Sequence, residues 1–394
     1  MASRDWAASP GSVMTIDKRA PRLAYLVTED WYFLSHRLPM ARAAKAAGYE
    51  VHVFTNLTGH AAAIAREGFE VHPVRWRRGR MSPFGLLAMV RTIRRLYRRL
   101  NPDLAHHVAL EPTVVGSLAA RGLPVTCLNA VTGWGFALTS SKPRARLARA
   151  ALEWLLPRLL KLRGSAVLVQ NTDDRAAIKA LGVPGDRIHL IAGSGVDVEV
   201  LTPMPEPSGP ITAAFVGRLL DSKGLRTLIA AHDLTARRGC PVRLLIAGDP
   251  DPPNPDSIPV AELAAWKQRP GVELLGRVAD IREVWAAAHI AVLPSRREGL
   301  PLSLLEAAAC GRPIVATDVP GCRAIARAGV NALLCPPDDA AALAAAIERL
   351  VQDAELRARF GAASRRLAED EFSSRRIGRE TVALYDRLLG RGSS

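Results

Sequence analysis

Short apolar, often β-branched runs alternate along most of the chain with longer stretches whose apolar positions recur at helical spacing. The runs near residues 23–28, 51–55, 70–73, 104–108, 124–128, 166–170 and 188–191 predict strands in the first half. Stretches 35–47, 86–100 and 144–162 predict helices between them, the last kinked near Pro157. A second series of strands follows near 211–216, 242–247, 272–275, 290–293, 313–316 and 332–334. Helices at 338–351, 354–368 and 379–389 close the chain. This βαβα order argues for parallel sheets covered by helices on both faces. Two such series, joined by a segment with Pro203, Pro205, Pro207, Ser208 and Gly209, imply two doubly wound domains. The expected division is a tail over 1–20, a first domain over 21–200, a linker over 201–210 and a second domain over 211–372. Residues 373–394 are expected to form a helix packing back on the first domain. Open parallel sheets bind ligands beyond the carboxyl ends of their strands, so the two domains should face each other across a cleft.

The length of 394 residues exceeds a single ordinary core, in keeping with two domains. No apolar run approaches the roughly 18–20 residues that span a bilayer, and no signal-peptide pattern opens the chain. The five cysteines are scattered without metal-ligand spacing, which fits a reducing cytoplasm. Charge changes the picture more. Residues 1–200 carry 28 Lys/Arg against 15 Asp/Glu, whereas the remainder carries 25 against 23. Nine arginines between Arg75 and Arg99 stand without an intervening acid, so a polyanion or an anionic membrane should face the first half. Arg91, Arg94, Arg95 and Arg98 fall on a different helix face from Leu86, Met89, Ile93 and Tyr97. Arg144, Arg146, Arg149, Arg158, Lys161 and Arg163 similarly punctuate the Leu-rich 144–162. Such helices suit an anionic membrane surface; the competing reading is a core-packed apolar face with solvated arginines. No stacking platform or binding module for nucleic acid accompanies the charge.

Two segments carry chemistry. Gly217 to Gly224 (GRLLDSKG) follows an apolar strand and precedes a helix. It places Arg218 and Lys223 at a carboxyl edge, where a planar fork and a mobile point charge suit a diphosphate. In Ser295 to Thr317, Glu298 lies in a loop and Glu306 eight positions later on a short apolar helix. Gly299 and Pro301 shape a turn that aims the N–H groups of Leu302 and Ser303 outward. A carboxylate interrupting a buried face calls for a polar ligand, and Glu306 could take a ribose diol. Solvated loop cations, and Glu298 paired with Arg296 or Arg297, are the plainer readings.

The pair Glu298…Glu306 with Gly217-Arg218…Lys223-Gly224 about eighty residues upstream resembles the retaining nucleotide-sugar glycosyltransferases of family 4, which have the two-domain GT-B fold. The likeness extends through the C-terminal half, including Ala247-Gly248-Asp249 and Leu275-Gly276-Arg277-Val278. It implies that Gly217, Arg218 and Lys223 hold the donor diphosphate and that Glu298 contacts sugar hydroxyls. It also implies that Gly299, Leu300, Pro301, Leu302 and Ser303 cradle sugar and phosphate, that Glu306 holds the ribose, and that the backbone at Arg277 and Val278 holds the base. No metal or cofactor is expected, because the cations neutralise the diphosphate.

The first half resembles the subgroup that extends lipid-diphosphate-linked sugars, through Phe33-Leu34-Ser35-His36-Arg37-Leu38-Pro39. Where relatives have a Gly-rich loop, Glu29-Asp30-Trp31-Tyr32 stands here, so Ser35 or His36 at a helix start is the candidate donor to an acceptor. His106 and His107 follow a strand near the expected reacting carbon; alternation lets at most one reach the cleft, and His107 is nearer the strand end. Trp134 in Gly133-Trp134-Gly135 could stack on a sugar. Asp249-Pro250-Asp251 mimics a metal-binding D-x-D but reads as a loop. Asp173 and Asp174 read as first-turn acids, and Gly193-Ser194-Gly195 as structural. The resulting expectation is transfer of a hexose or N-acetylhexosamine from a nucleotide-sugar, UDP-linked by preference, to a membrane lipid-linked acceptor. Configuration is retained, at the cytoplasmic face of the membrane, with His107, Arg218, Lys223 and Glu298 in the reaction. A GT-B epimerase or phosphorylase, or a non-catalytic membrane scaffold, is the alternative.

Overall fold

The computed structural model describes residues 19–76, 82–131, 143–252 and 254–391. The first parallel sheet contains β1 (Arg22–Glu29), β2 (Glu50–Asn56), β3 (Glu70–Pro73), β4 (Leu104–Val108), β5 (Thr126–Ala130), β6 (Ser165–Val169) and β7 (Ile188–Leu190). Its order is β3-β2-β1-β4-β5-β6-β7. The second contains β8 (Thr212–Val216), β9 (Arg243–Ala247), β10 (Val272–Gly276), β11 (Ile290–Leu293), β12 (Ile314–Thr317) and β13 (Ala332–Cys335), in the order β10-β9-β8-β11-β12-β13. Each sheet therefore reverses its winding once, between β1 and β4 and between β8 and β11. Crevices for ligands open at those reversals.

The helices of the first half are α1 (Asp30–His36), α2 (Leu38–Ala46), α3 (Ala61–Arg66), α4 (Pro83–Leu100), α5 (Leu110–Ala120), α6 (Pro143–Leu160) and α7 (Thr172–Ala180). Those of the second are α8 (Leu225–Arg237), α9 (Val260–Lys267), α10 (Ile281–Ala287), α11 (Leu302–Ala309), α12 (Pro320–Ile325), α13 (Ala340–Gln352), α14 (Ala354–Asp370) and α15 (Ser374–Leu388). The inner strands are buried along nearly their whole length, as parallel strands covered on both faces must be, whereas the edge strands β3, β7 and β10 are partly exposed. α14 packs Leu356, Phe360 and Ala368 into the second core. α15 instead buries Ile377, Leu384 and Tyr385 in the core of the first sheet. Tyr385 shares a 2.8 Å hydroxyl contact with Tyr25, and Tyr49 donates to Asp386 at 2.7 Å.

Two expectations change. The helix expected over 35–47 is two helices, because Arg37 leaves helical geometry at φ −126° and ψ −12° and the chain restarts at Leu38. Ser35 and His36 thus end α1 rather than begin a helix. In α4, Ile93 and Tyr97 are buried against the domain core, and Arg94 is not part of a free basic face. Its Nη1 donates to the carbonyls of Ala119 and Arg121 at 2.8 and 2.6 Å, closing the end of α5. Arg91, Arg95, Arg98 and Arg99 remain exposed.

Candidate active site

The β8–α8 connection is shaped by two close backbone approaches. At Gly224, φ is +72° and an added Cβ would stand 1.9 Å from the Pro294 carbonyl. At Gly248, φ is +137° and a Cβ would stand 1.9 Å from the Gly217 carbonyl. Only glycine fits either place. The result brings the loop after β8 against the loop after β11, at the winding reversal of the second sheet.

There Lys223 Nζ donates to Glu298 Oε1 at 2.6 Å, and Ser295 Oγ donates to the same oxygen at 2.6 Å. Arg296 is occupied elsewhere, by Asp221 and Asp338 at 2.6 and 2.7 Å. Glu298 is therefore paired with the lysine of the other motif. Arg218 reaches Asp251 at 2.8 Å, so the D-x-D look-alike supplies a carboxylate that holds the arginine. Glu306 lies on α11, where burial pushes its carboxyl up to about 8 and the Trp285 indole pulls the other way. α11 begins at Leu302 after Pro301 with no side-chain cap, leaving its first N–H groups for an anion.

The second domain's loops and the first domain's α1 enclose one cavity of about 420 Å³, lined by Arg218, Lys223, residues 298–303 and Glu306 on one wall. Trp31, Tyr32, His36 and Gln170 line it from the other side. Asn171, which caps α7, also donates from Nδ2 to the Gly299 carbonyl at 3.0 Å and so ties the first domain to the Glu298 loop. Asp173 and Asp174 occupy the first turn of α7. Gly195 packs against the start of α15, a structural position. Arg277 and Val278 follow the edge strand β10, outside the lining of this cavity.

Trp31 and Tyr32 stand in the first turn of α1, directly after β1. Asp30 is fully buried and accepts from the N–H groups of Trp31, Thr58 and His60 at 2.8, 2.7 and 2.9 Å. That anchoring starts α1 directly at the end of β1. His36 stacks on Tyr32 with centroids 4.1 Å apart and shares a 2.6 Å contact between Nδ1 and the Ser35 hydroxyl. Burial, followed by the charges of Arg37, Lys223 and Arg218, pushes His36 down to about 3, so it presents a neutral imidazole. Ser35 itself is exposed and donates to the Trp31 carbonyl at 2.9 Å.

Neither His106 nor His107 reaches the cavity, which corrects the expectation for His107. Both are fully buried. His106 Nδ1 meets the Tyr385 hydroxyl at 2.7 Å on one face of the sheet. On the other, His107 contacts Asn129 Oδ1 at 2.8 Å and the Tyr97 hydroxyl at 3.0 Å. Strand alternation does separate them, but helices cover both faces of β4. Trp134 lies outside the described residues. The sequence reading misses Gln170 and Asn171 and gives Trp31, Tyr32 and Asp251 no role in the site. Of the two missed residues, Asn171 carried a signal, as an N-cap residue before two first-turn acids.

Comparison with known proteins gives the family. A family model described as "Glycosyl transferases group 1" matches residues 210–353, and one described as "Glycosyl transferase 4-like" matches residues 22–165. The putative glycosyltransferase EpsD of Bacillus subtilis is 28% identical over 93% of this chain and 97% of its own. The N,N'-diacetylbacillosaminyl-diphospho-undecaprenol alpha-1,3-N-acetylgalactosaminyltransferase of Campylobacter jejuni is 25% identical over 91% of this chain and 98% of its own. Among solved structures, Anabaena HepE in complex with UDP superposes with a TM-score of 0.76 at 19% identity, covering 93% of this chain and 100% of that one. With each half matched by a glycosyltransferase model and the paired-sheet fold shared along the chain, this protein belongs to the group 1, family 4 glycosyltransferases of the GT-B fold.

Proposed function

We propose that this enzyme moves a hexose or N-acetylhexosamine from a UDP-sugar to a lipid-linked sugar at the cytoplasmic face of the bacterial membrane, in surface-glycan or glycoprotein assembly. The observation that carries the reading is the convergence of Arg218, Lys223, Glu298 and Glu306 on one cavity whose opposite wall is α1 of the first domain. Arg218 and Lys223 bind the diphosphate and stabilise the charge that develops as the glycosidic bond breaks. The first N–H groups of α11 add to that site. Glu298 turns to the sugar hydroxyls, Glu306 takes the ribose diol, and the backbone at Arg277 and Val278 meets the base. The acceptor enters from the first domain, where Tyr32 and the neutral His36 offer a stacking face and a hydrogen-bonding ring nitrogen. Its hydroxyl loses a proton to the leaving diphosphate on the same face of the sugar, and configuration is retained.

The names of the relatives support the two substrates, UDP for HepE and an undecaprenol-diphosphate-linked sugar for the Campylobacter enzyme. Support for a membrane surface comes from the first domain. Phe84 is 85% exposed at the start of α4, with Leu87 also exposed. Trp154 is 60% exposed on α6, with the Arg158 guanidinium 4.0 Å over its ring. Apolar side chains beside exposed arginines suit an interface with anionic lipid. Among the described residues, no helix is long and apolar enough to cross a membrane.

Transfer from UDP-sugars to an undecaprenyl-diphosphate-linked acceptor tests the reading. Lys223→Ala should reduce turnover by at least about 100-fold, the scale of losing one transition-state charge contact, with circular dichroism unchanged. Lys223→Ala retaining most activity would overturn the diphosphate assignment.

A further inference from the structure

The far edge of the first sheet carries a second side-chain cluster that takes no part in the chemistry above. On the adjacent parallel strands β2 and β3, His52 stands opposite Glu70 and Phe54 opposite His72. Residues two apart on a strand share a face, so Glu70 and His72 project beside His52. Three ligand-type atoms meet there. His52 Nδ1 lies 3.2 Å from His72 Nε2 and 3.1 Å from Glu70 Oε2, and those last two atoms are 3.7 Å apart.

From this geometry we infer a transition-metal site of the zinc class, with His52 Nδ1, His72 Nε2 and Glu70 Oε2 as ligands, that clamps the edge strand β3 to β2. Zinc bonds of about 2.0–2.1 Å in tetrahedral arrangement set ligand atoms roughly 3.3 Å apart. The observed triangle, with edges of 3.1, 3.2 and 3.7 Å, is one face of such a tetrahedron. Two imidazoles and one carboxylate form a donor set that suits zinc and its neighbours better than magnesium or calcium.

The surroundings complete the site. His52 is only 1% exposed, and its other nitrogen makes no hydrogen bond, with the Glu50 carboxylate 3.2 Å away on the side where an outer carboxylate supports a metal-binding histidine. The Phe54 ring stacks on His72 at 4.5 Å and 15°, which fixes the imidazole plane. Glu70 and His72 keep 65% and 29% of their side-chain surface open, so an ion has a path in and solvent can complete the shell. Hydrogen bonding alone satisfies the cluster poorly. One proton on His52 Nδ1 serves either His72 or Glu70, never both. The cluster lies on the two outermost strands, away from the reversal between β1 and β4 that faces the donor site. The metal would therefore act on the fold and not on sugar transfer.

The test uses full-length protein stripped with a chelator, dialysed, and titrated with zinc chloride alone. The expected result is one zinc per chain with micromolar or tighter affinity, a raised melting temperature, and an X-ray absorption shell of nitrogen and oxygen without sulfur. Binding only the native state raises stability as the ion concentration exceeds its dissociation constant. His72→Ala should weaken binding by more than the roughly 10–100-fold that losing a supporting partner costs. Glu70→Ala, at an exposed position, provides the same comparison if His72→Ala does not fold. The proposal is overturned by no stoichiometric binding below about 100 µM, far weaker than a built site, by a sulfur shell, or by binding unchanged in both variants.

Discussion

Donor binding should depend on pH through one carboxyl. Glu306, raised to about 8 by its burial, holds its proton at neutral pH in the ligand-free enzyme. A carboxylate that accepts from both hydroxyls of a ribose has to be ionised, so the donor competes with that proton. Apparent affinity then scales with the ionised fraction. That fraction is about 1% at pH 6 and about three quarters at pH 8.5, which predicts roughly 70-fold tighter binding across the window. His36 lies at about 3 and does not titrate there. Isothermal titration with UDP-glucose at pH 6, 7, 8 and 8.5 gives the slope. Repeating pH 7 in buffers of different ionisation enthalpy should show close to one proton released per donor bound. Glu306→Gln should bind weakly with a flat profile. Stability moves the opposite way: the native state holds a proton that the unfolded chain has released between about 4.5 and 8, so Glu306 makes the fold less stable as pH rises through that window. Glu306→Gln should remove this loss and melt higher than wild type at pH 8.5. A flat wild-type binding profile with no proton release would show that the ribose is held some other way.

Gly224→Ala should cost about 2 kcal/mol or more, because it combines a left-handed backbone with a methyl driven into the Pro294 carbonyl. Chemical denaturation reads that loss, and a change under about 0.5 kcal/mol, the usual range for a surface substitution, would mean the loop can be rebuilt without strain. Arg91, Arg95 and Arg98 replaced together by Gln should weaken sedimentation with anionic vesicles by on the order of 1 kcal/mol per side chain at low salt. Transfer to a short water-soluble acceptor should survive. Equal binding of the wild type to neutral and anionic vesicles would remove the membrane role.

Much of this protein is determined locally. The βαβ alternation predicts both sheets because the inner parallel strands are short apolar runs that must be buried on both faces, whatever packs there. The glycine motif and the E-x7-E pair are equally local, since a loop that brings two backbones into contact admits only glycine, and a carboxylate eight residues on falls within the following helix. The sequence therefore carried Arg218, Lys223, Glu298 and Glu306. What it could not carry is pairing across the chain. Nothing near Glu298 indicates that Lys223, 75 residues away, is its partner, or that Asp251 holds Arg218. Strand alternation separated His106 from His107, but whether a helix or an open cleft covers each face is set by elements distant in sequence. Tyr385, 279 residues from His106, closes one of those faces. The arginines of α4 divide in the same way: Arg91, Arg94, Arg95 and Arg98 all look solvent-bound by periodicity, yet the end of α5 happens to lie where Arg94 can cap it. His52, Glu70 and His72 are ordinary strand residues until the register of β2 against β3 brings them together. Local pattern decides which elements form and which chemistry they carry. Only their packing decides which charges meet, which histidines are sealed in, and where a pocket opens.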